Sequence, residues 1–199
     1  MEFILASNNP KKLSELRAIL SEMGHGVISQ SEAGLDFVVD ETGETFRENA
    51  ALKAKAVFEA TGKAAIADDS GLCVDALDGA PGVHSAYYGG TLCKNDEERY
   101  LYLLQQMEGK NERSAHFIST IYAILPDGRE LVAEGRLDGE ILQKAQGSAG
   151  FGYDPVFYVS ALGKSLAELD ASEKNKISHR AIALEKFKEI WEREHANQQ

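Results

Sequence analysis

The spacing of apolar residues at the start of the chain predicts a strand followed by a helix. The segment Glu2–Ala6 is short and apolar enough for a buried strand, and the turn-forming residues of Ser7–Lys11 end it. Apolar residues then recur at helical spacing until Gly24 and Gly26 end the helix. These apolar residues are Leu13, Leu16, Ile19, Leu20 and Met23.

A second helix is predicted after Thr45, because Thr45 and Glu48 have the spacing of a capping box. Gly62 ends this helix. Lys53 lies one position off the apolar stripe, where its side chain can follow the helix edge. Lys55 lies further round and is expected in solvent.

An acidic pair interrupts the next apolar segment. Ala64–Ala67 predicts a short strand that ends at Asp68-Asp69-Ser70-Gly71, and Leu72–Leu77 resumes an extended pattern. The glycine-rich segment Asp78–Gly90 follows as a loop long enough to suggest a function.

The second half of the chain continues to mix strands and helices. Its predicted elements are a helix over 95–107, a hairpin of 117–124 with 130–134, a glycine-rich loop over 145–153, a strand over 156–159 and a closing helix over 181–191. The tail after Glu194 is expected to fray. Because strands and helices do not alternate strictly, the sequence predicts an α/β fold with a mixed sheet, in a single domain over residues 1–199.

Charge narrows the possible partners. The chain has 32 acidic and 21 basic side chains, a formal net charge of −11. Nucleic acids and anionic membranes are normally bound by a basic face, so we expect neither as a partner. The only apolar run near the N-terminus, Phe3–Ala6, is far too short for a signal peptide or a membrane span, and we expect a cytoplasmic protein.

The two cysteines, Cys73 and Cys93, leave several interpretations open. They could form a disulfide, or half of a metal site with His84 between them, although the spacing matches no zinc pattern. Reduced structural thiols are the favoured interpretation.

The first segment with candidate chemistry is the loop between the first strand and helix. It reads Ser7-Asn8-Asn9-Pro10-Lys11-Lys12. Free N–H groups and the positive end of the helix dipole favour an anion there, and the two lysines add charge. A plain Asn–Pro helix cap with solvated lysines is the alternative.

The second segment with candidate chemistry is the acidic pair Asp68-Asp69. Adjacent side chains on an extended backbone point in opposite directions, so only one of Asp68 and Asp69 can face a shared site. An apolar strand that ends in two acids is costly to bury without a cation, and this favours Mg²⁺ or an activated water. Glu41 and Glu44 are the candidates for a second metal ligand.

The third region with candidate chemistry consists of two segments, Gly150–Pro155 and Ser172–Arg180. An aromatic residue between glycines, Phe151, can lie over a planar ring, and the proline after Asp154 keeps that residue extended. The alternative is a core aromatic in a turn. Ser178, His179 and Arg180 could recognise carbonyl oxygens or simply cap the last helix.

Together these segments resemble the inosine/xanthosine triphosphate pyrophosphatase family in order and spacing. The matching motifs are Ser7–Lys12, Glu41–Asn49, Ala67–Gly71, Gly79–Ala86, Gly150–Pro155 and Lys174–Arg180. The resemblance implies a Mg²⁺-dependent enzyme that hydrolyses ITP, dITP and XTP to the monophosphate and pyrophosphate. It also implies a homodimer and a two-lobed fold around a long mixed sheet flanked by helices.

The resemblance also implies roles for individual residues. The triphosphate would be bound by Ser7, Asn8, Asn9, Pro10, Lys11 and Lys12. Asp69 would be the catalytic base and share the metal with Glu41, and Ser70 would contact substrate. The purine base of the substrate would be held by Phe151, Gly152, Tyr153, Asp154, Lys174, His179 and Arg180. Lys53 and Asp68 would be supporting residues. Ser7 departs from the threonine common in the family but keeps the hydroxyl.

Two rival functions stay open at this point. One is a related pyrophosphatase that acts on pyrimidine or modified nucleotides, and the other is a non-catalytic nucleotide sensor. The pairing of Glu41 with Asp69 argues against a sensor, because binding alone needs no base. In either case a negative protein must bind a polyanion, which predicts a locally positive pocket formed by Lys12, Lys53, Lys174 and Arg180 beside a carboxylate-bound Mg²⁺.

Overall fold

The computed structural model describes residues 1–196, which fold into seven strands and five α-helices. The strands are β1 (Glu2–Leu5), β2 (Gly26–Ser29), β3 (Ala65–Val74), β4 (Ser114–Ile124), β5 (Glu130–Ile141), β6 (Phe157–Val159) and β7 (Lys164–Ser165). The helices are α1 (Pro10–Glu22), α2 (Phe46–Thr61), α3 (Asp96–Gln106), α4 (Ala171–Ile177) and α5 (His179–Ala196). The predicted frayed tail begins inside α5, and its last three residues lie outside the described chain.

Within residues 1–196 the strands form one seven-stranded sheet in the order β2-β1-β3-β4-β5-β6-β7. β1 runs parallel to both β2 and β3, whereas β6 runs antiparallel to β5 and β7. The predicted α/β class with a mixed sheet flanked by helices is therefore confirmed.

The helix termini follow from the cap residues of the sequence. The Asn9 side chain accepts hydrogen bonds from the N–H groups of Lys11 and Lys12, and Pro10 occupies the first turn of α1. Thr45 and Glu48 form the predicted capping box of α2. That helix ends at Gly62, whose φ of 64° is the left-handed conformation that glycine adopts most easily.

Strand β3 corrects the predicted interruption at the acidic pair. The strand is continuous through Asp68 and Asp69, and its extended pattern ends at Val74, because Asp75–Leu77 form a 3₁₀ turn. The strand tolerates two buried acids because cationic side chains from other elements contact them, as described below. The predicted loop 78–90 contains the 3₁₀ segment Gly82–Tyr87.

By its contacts the chain divides into two compact units. Unit 1 comprises Met1–Asp69, Ser119–Gly135 and the described part of Arg180–Gln199, and unit 2 comprises Ser70–Ile118 and Arg136–His179. Unit 1 has two hydrophobic clusters, around Phe3 and Phe187 and around Ala50 and Val57. Unit 2 has its own, which includes Leu72, Phe157 and Leu166.

The free edge of β2 is occupied by side chains of unit 1. Arg17 Nε donates a hydrogen bond to the carbonyl of Val27 at 2.8 Å, and the Glu32 carboxylate accepts one from the N–H of Ser29 at 2.7 Å. Arg17 and Glu32 form an ion pair at 2.8 Å. Backbone groups of this edge strand thus have side-chain partners.

Among residues 1–196, every helix is too short or too polar to cross a membrane.

Candidate active site

The buried carboxylate of Asp68 in β3 is the centre of a charged cluster in unit 1. Its Oδ2 lies 3.1 Å from the guanidinium of Arg180 and 3.0 Å from Lys12 Nζ. Ser119 Oγ donates to Oδ1 at 2.6 Å. Burial alone would raise the pKa of Asp68, but the charges of Arg180 and Lys12 and the Ser119 hydrogen bond outweigh it and hold that pKa far below its usual range. Asp68 is therefore ionised.

Arg180 also binds Glu15, a residue of α1 that the sequence analysis did not single out. The Arg180 guanidinium lies 2.6 Å from the Glu15 carboxylate, and the Arg180 side chain is 4% exposed. Burial lowers the pKa of Arg180, yet Asp68 and Glu15 outweigh that effect and raise it. The structure places this guanidinium on two carboxylates, and its predicted contact with a base stays a prediction.

Asp69 points away from Asp68 and contacts Lys53. Lys53 Nζ lies 2.7 Å from Asp69 Oδ1 and 3.1 Å from Glu41 Oε1, so a single ammonium bridges both carboxylates. Burial, together with the charge of Glu41, raises the pKa of Asp69 above its usual value despite the charge and hydrogen bond of Lys53. Burial lowers the pKa of Lys53, but Asp69 and Glu41 together reverse the shift and raise it. The predicted pair of Glu41 and Asp69 is thus brought together by Lys53.

One backbone carbonyl links the two groups of charges. The carbonyl oxygen of Asp68 accepts hydrogen bonds from both Lys12 Nζ and Lys53 Nζ, each at 3.1 Å. Because Asp68 and Asp69 are adjacent on an extended strand, their side chains occupy opposite faces, as the sequence predicts. The two lysines therefore share one acceptor, the Asp68 carbonyl, although the carboxylates that they contact lie on opposite faces of the strand.

Three of the four cations of the predicted positive pocket lie in this cluster, and each has a carboxylate partner. Three cationic side chains meet four carboxylates, so the side chains by themselves carry one formal negative charge in excess. They are Lys12, Lys53 and Arg180 with Glu15, Glu41, Asp68 and Asp69. A locally positive pocket beside a carboxylate-bound Mg²⁺ stays a prediction.

The loop before α1 has the geometry of the helix-cap alternative. Asn9 Oδ1 accepts the N–H of Lys11 at 2.9 Å, and Ser7 Oγ accepts the N–H of Asn9 at 3.1 Å. Asn8 Oδ1 accepts the N–H of Ser31 at 2.9 Å. Pro10 begins the helix, and Lys11 is exposed. The triphosphate role of Ser7–Lys12 stays a prediction, and the Lys12 side chain reaches Asp68.

Unit 2 contains a second group of predicted site residues, around Phe151. Its N–H donates to Asp154 Oδ2 at 2.8 Å, and Lys174 Nζ lies 2.5 Å from the same oxygen. Lys174 Nζ also lies 4.4 Å from the centre of the Phe151 ring, a cation–π contact. A Cβ on Gly150 would lie 2.1 Å from Asp154 Oδ2, so only glycine allows this turn. The structure therefore brings Phe151, Asp154 and Lys174 together.

The next two residues of this loop have partners that the sequence analysis missed. The N–H of Gly152 donates to Asp96 Oδ2 at 2.8 Å, and the Tyr153 hydroxyl donates to the carbonyl of Ser85 at 2.8 Å. Burial raises the pKa of Tyr153, so it stays protonated and keeps donating. The contacts span 56 and 68 residues of sequence, and no local pattern indicates them.

His179 and Ser70 complete the predicted set. The His179 ring stacks on Phe117 with centroids 4.7 Å apart and an interplanar angle of 12°. Its ring is buried, at 7% exposure. Ser70 lies in β3 directly after Asp69 and is half-buried. Their predicted contacts with substrate stay predictions.

These features define a class: an α/β protein with a mixed sheet and a buried cluster of lysine, arginine and carboxylate side chains. The chain belongs to the Ham1 family, whose model matches residues 3–190. It is 44% identical over 193 residues to a dITP/XTP pyrophosphatase of Bacillus subtilis (strain 168), which covers 96% of this chain and 97% of the relative. It is 50% identical over 185 residues to a dITP/XTP pyrophosphatase of Gloeobacter violaceus, covering 92% and 91%.

Solved structures agree with this assignment. The Ham1 protein of Staphylococcus aureus superposes with a TM-score of 0.90 at 42% identity, covering 98% of this chain and 100% of that one. A HAM1 protein from Coxiella burnetii gives a TM-score of 0.90 at 40% identity, with 97% and 99% covered.

Proposed function

We propose that the protein hydrolyses the deaminated purine nucleotides ITP, dITP and XTP to the monophosphate and pyrophosphate, and so clears them from the nucleotide pool. The observation that carries the proposal is the ammonium of Lys53, which lies 3.1 Å from Glu41 and 2.7 Å from Asp69. A buried acid held beside a second acid and a lysine is suited to activating water next to a polyphosphate. The names of the relatives, which are 44% and 50% identical, support the same substrate class.

In the proposed reaction, water attacks the α-phosphorus and the bond to the bridging oxygen of pyrophosphate breaks. Asp69 orients the water and accepts its proton, and the raised pKa of Asp69 makes it a better base than an exposed aspartate. Lys53 fixes the Asp69 carboxylate, and Lys12 offsets the charge of the leaving pyrophosphate. Asp68 holds Lys12 in position through its carboxylate and its carbonyl.

Glu41 and Asp69 are the residues that would hold Mg²⁺. Mg²⁺ is commonly bound by one or two carboxylates together with substrate phosphates, and two carboxylates converging on one cation fit that requirement. No group of three or more acidic, histidine or cysteine side chains that could hold a metal occurs within residues 1–196, so phosphate oxygens would complete the shell. When bound, the ion supplies charge stabilisation to the α-phosphate and the leaving group.

Base recognition is proposed to depend on the 6-oxo group of hypoxanthine and xanthine. His179 and Arg180 can donate hydrogen bonds to an oxygen. The 6-amino group of adenine is itself a donor, so it would face these donors and leave them without an acceptor. Phe151 would stack on the base, with Lys174 and Asp154 fixing its loop. ATP is therefore expected to be a poor substrate.

A panel of nucleoside triphosphates with Mg²⁺, scored for pyrophosphate and for orthophosphate, tests the proposal. We expect pyrophosphate from ITP, dITP and XTP, and kcat/KM for ATP lower by at least about tenfold. Preference for a pyrimidine nucleotide would indicate the related pyrophosphatase instead, and binding without turnover would indicate a sensor. Comparable kcat/KM for ITP and ATP would contradict the base-recognition account.

We also propose a cytoplasmic homodimer. Cys73 and Cys93 are buried and form no disulfide with each other, which is consistent with a reducing compartment. In unit 2, Tyr87, Leu92 and Leu101 are 49%, 73% and 50% exposed, and they are the side chains that a subunit contact on this unit would cover. Sedimentation equilibrium of the whole chain tests the assembly, and a monomer at micromolar concentration would contradict it.

A further inference from the structure

Three consecutive residues of the loop that carries Phe151 each have a hydrogen-bond partner in a different part of unit 2. The Phe151 N–H donates to Asp154 in the same turn, the Gly152 N–H to Asp96 in α3, and the Tyr153 hydroxyl to Ser85 in the segment Gly82–Tyr87. Gly150 and Gly152, with φ of 81° and 61°, allow the left-handed backbone that this path needs. These contacts therefore define the loop conformation at Phe151 and at the two residues after it.

Asp96 is the partner whose position in the sequence gives no hint of this role. It is the first residue of α3 and belongs to an acidic first turn with Glu97 and Glu98. Such acids are normally explained by the helix dipole. Glu98 completes the helix cap with Asn95, but the carboxylate of Asp96 spans 56 residues of sequence to reach the N–H of Gly152.

The geometry of this contact is that of a charge-assisted hydrogen bond. Asp96 Oδ2 lies 2.8 Å from the Gly152 nitrogen, while Oδ1 lies 2.9 Å from Arg99 NH1. Arg99 lies in the next turn of the same helix and fixes the rotation of the carboxylate. Hydrogen bonds with an ionised acceptor are about twice as strong as neutral ones. Asp96 can therefore hold the backbone directly after Phe151 although its side chain is 53% exposed.

We propose that Asp96 is a positioning residue for base recognition, which fixes the Phe151 ring through the N–H of Gly152. The inference rests on the proposed function, because it assigns to that site a residue outside the predicted set. Asp96 does not touch the base or the triphosphate. Its loss loosens the base-binding loop and leaves the lysine–carboxylate cluster of unit 1 intact.

Three variants separate this role from a general effect on α3. Asp96→Ala removes the acceptor, and Asp96→Asn keeps an oxygen acceptor without the charge. Glu97→Ala is the matched control, since it removes an acid from the same helical turn and the same dipole. The helix cap on Asn95 remains in all three.

Hydrogen exchange provides a readout that does not depend on activity. We expect the segment 150–154 to exchange about 3- to 10-fold faster in Asp96→Ala, because the hydrogen bond to the N–H of Gly152 is lost and its half-exposed acceptor limits the effect. Asp96→Asn should recover part of the protection, and Glu97→Ala should match the wild type. Unchanged exchange in Asp96→Ala would overturn the proposal.

Kinetics then connect the loop to the base. With ITP, we expect KM to rise about 3- to 10-fold in Asp96→Ala with kcat little changed, and partial rescue in Asp96→Asn. Inhibition by inorganic tripolyphosphate, which has no base, should be unchanged. An equal loss for ITP and tripolyphosphate, or the same KM change in Glu97→Ala, would overturn the positioning role. Wild-type protein that releases no pyrophosphate from ITP would overturn the proposed function itself, a result seen before any variant is compared.

Discussion

At the scale of single residues, Asp68 and Asp69 show how neighbours decide the chemistry of identical side chains. Asp68 has two cations and a hydroxyl on its carboxylate, and its pKa is lowered. Asp69 is buried with Lys53 as its main cationic partner and with Glu41 nearby, and its pKa is raised. Asp68 is thereby suited to hold other groups in place, and Asp69 to accept a proton.

Asp69→Asn tests whether Asp69 is the residue that accepts the proton. We expect kcat for pyrophosphate release to fall by about 10²- to 10⁴-fold, because the amide cannot accept the proton of the attacking water. Glu44→Gln is the control, since Glu44 lies on the same loop as Glu41 and is exposed. Near-full turnover of Asp69→Asn at saturating Mg²⁺ would exclude Asp69 as the base.

Tyr122 in β4 gives a prediction about alkaline pH. Burial, with the hydrogen bond to Glu130 and the charge of that carboxylate, raises its pKa to about 12 from the ordinary value of 10. The folded protein therefore holds this proton more tightly than the unfolded chain does. The stabilisation is fully present below pH 10 and is lost as the pH rises from 10 to about 12.

Tyr122→Phe removes the titrating hydroxyl and with it this pH-dependent stabilisation. The free energy of unfolding of the variant should therefore decline less steeply than that of the wild type from pH 10 to about 12. Denaturant unfolding of the two proteins, with tyrosinate absorbance followed in parallel, measures the difference. Identical pH profiles would contradict the linkage.

At the scale of elements, the capping box of α2 links helix stability to the loop that carries Glu41. Thr45→Ala removes the side-chain partner of the Glu48 N–H and should cost about 1 kcal/mol in the free energy of unfolding. Thr61→Ala, at the other end of α2, removes a hydroxyl that donates to the helix carbonyl of Val57 and accepts the N–H of Lys63 at 3.2 Å. This hydroxyl belongs to no capping box, so its loss should cost less. If chemical denaturation finds the two equally stable, the cap contributes less than its geometry indicates.

The sequence predicts those elements whose signals are local. Capping residues located α1 and α2, and alternation located the β4–β5 hairpin, although β5 extends to Ile141 rather than ending near 134. The sequence does not predict strand β2, because its four residues begin at Gly26, two positions after Gly24, and the two glycines together indicate a helix end. Strand β3 was predicted as interrupted because the cations that neutralise its acids come from α1, α2 and α5.

The same distinction holds for the site. Lys53 and Glu41 were found because both lie near a recognisable capping box. Glu15 and Asp96 were not, because a helical acid looks the same whether it faces water or a partner more than 50 residues away. Arg180 was identified as a site residue, but its two carboxylate partners follow only from the three-dimensional structure.

At the scale of the whole molecule, a net charge of −11 opposes the binding of a polyanion. The charged cluster around Asp68 and Lys53 has one carboxylate more than it has cations, and this excess increases the repulsion. A bound Mg²⁺ would reverse the sign of the cluster. We therefore expect Mg²⁺ without nucleotide to raise the melting temperature, since a ligand that binds only the folded state stabilises it. The expected gain is about 2.7 kcal/mol at 100 times Kd.

Calorimetric scans with Mg²⁺ and with a chelator measure this effect. Glu41→Gln should reduce the shift, and Glu44→Gln should retain it. A shift of equal size in the wild type and in Glu41→Gln would mean that the ion binds elsewhere.

The ion pair of Arg17 and Glu32 has a consequence for the protein at high concentration. An exposed edge strand is a template on which a strand of another molecule can add, and this is a common route to aggregation. Here an arriving strand would first have to displace a guanidinium from the Val27 carbonyl and a carboxylate from the Ser29 N–H. Two side chains thus keep the sheet from growing beyond one molecule at this edge, and a crowded solution of the protein can remain free of strand-linked aggregates.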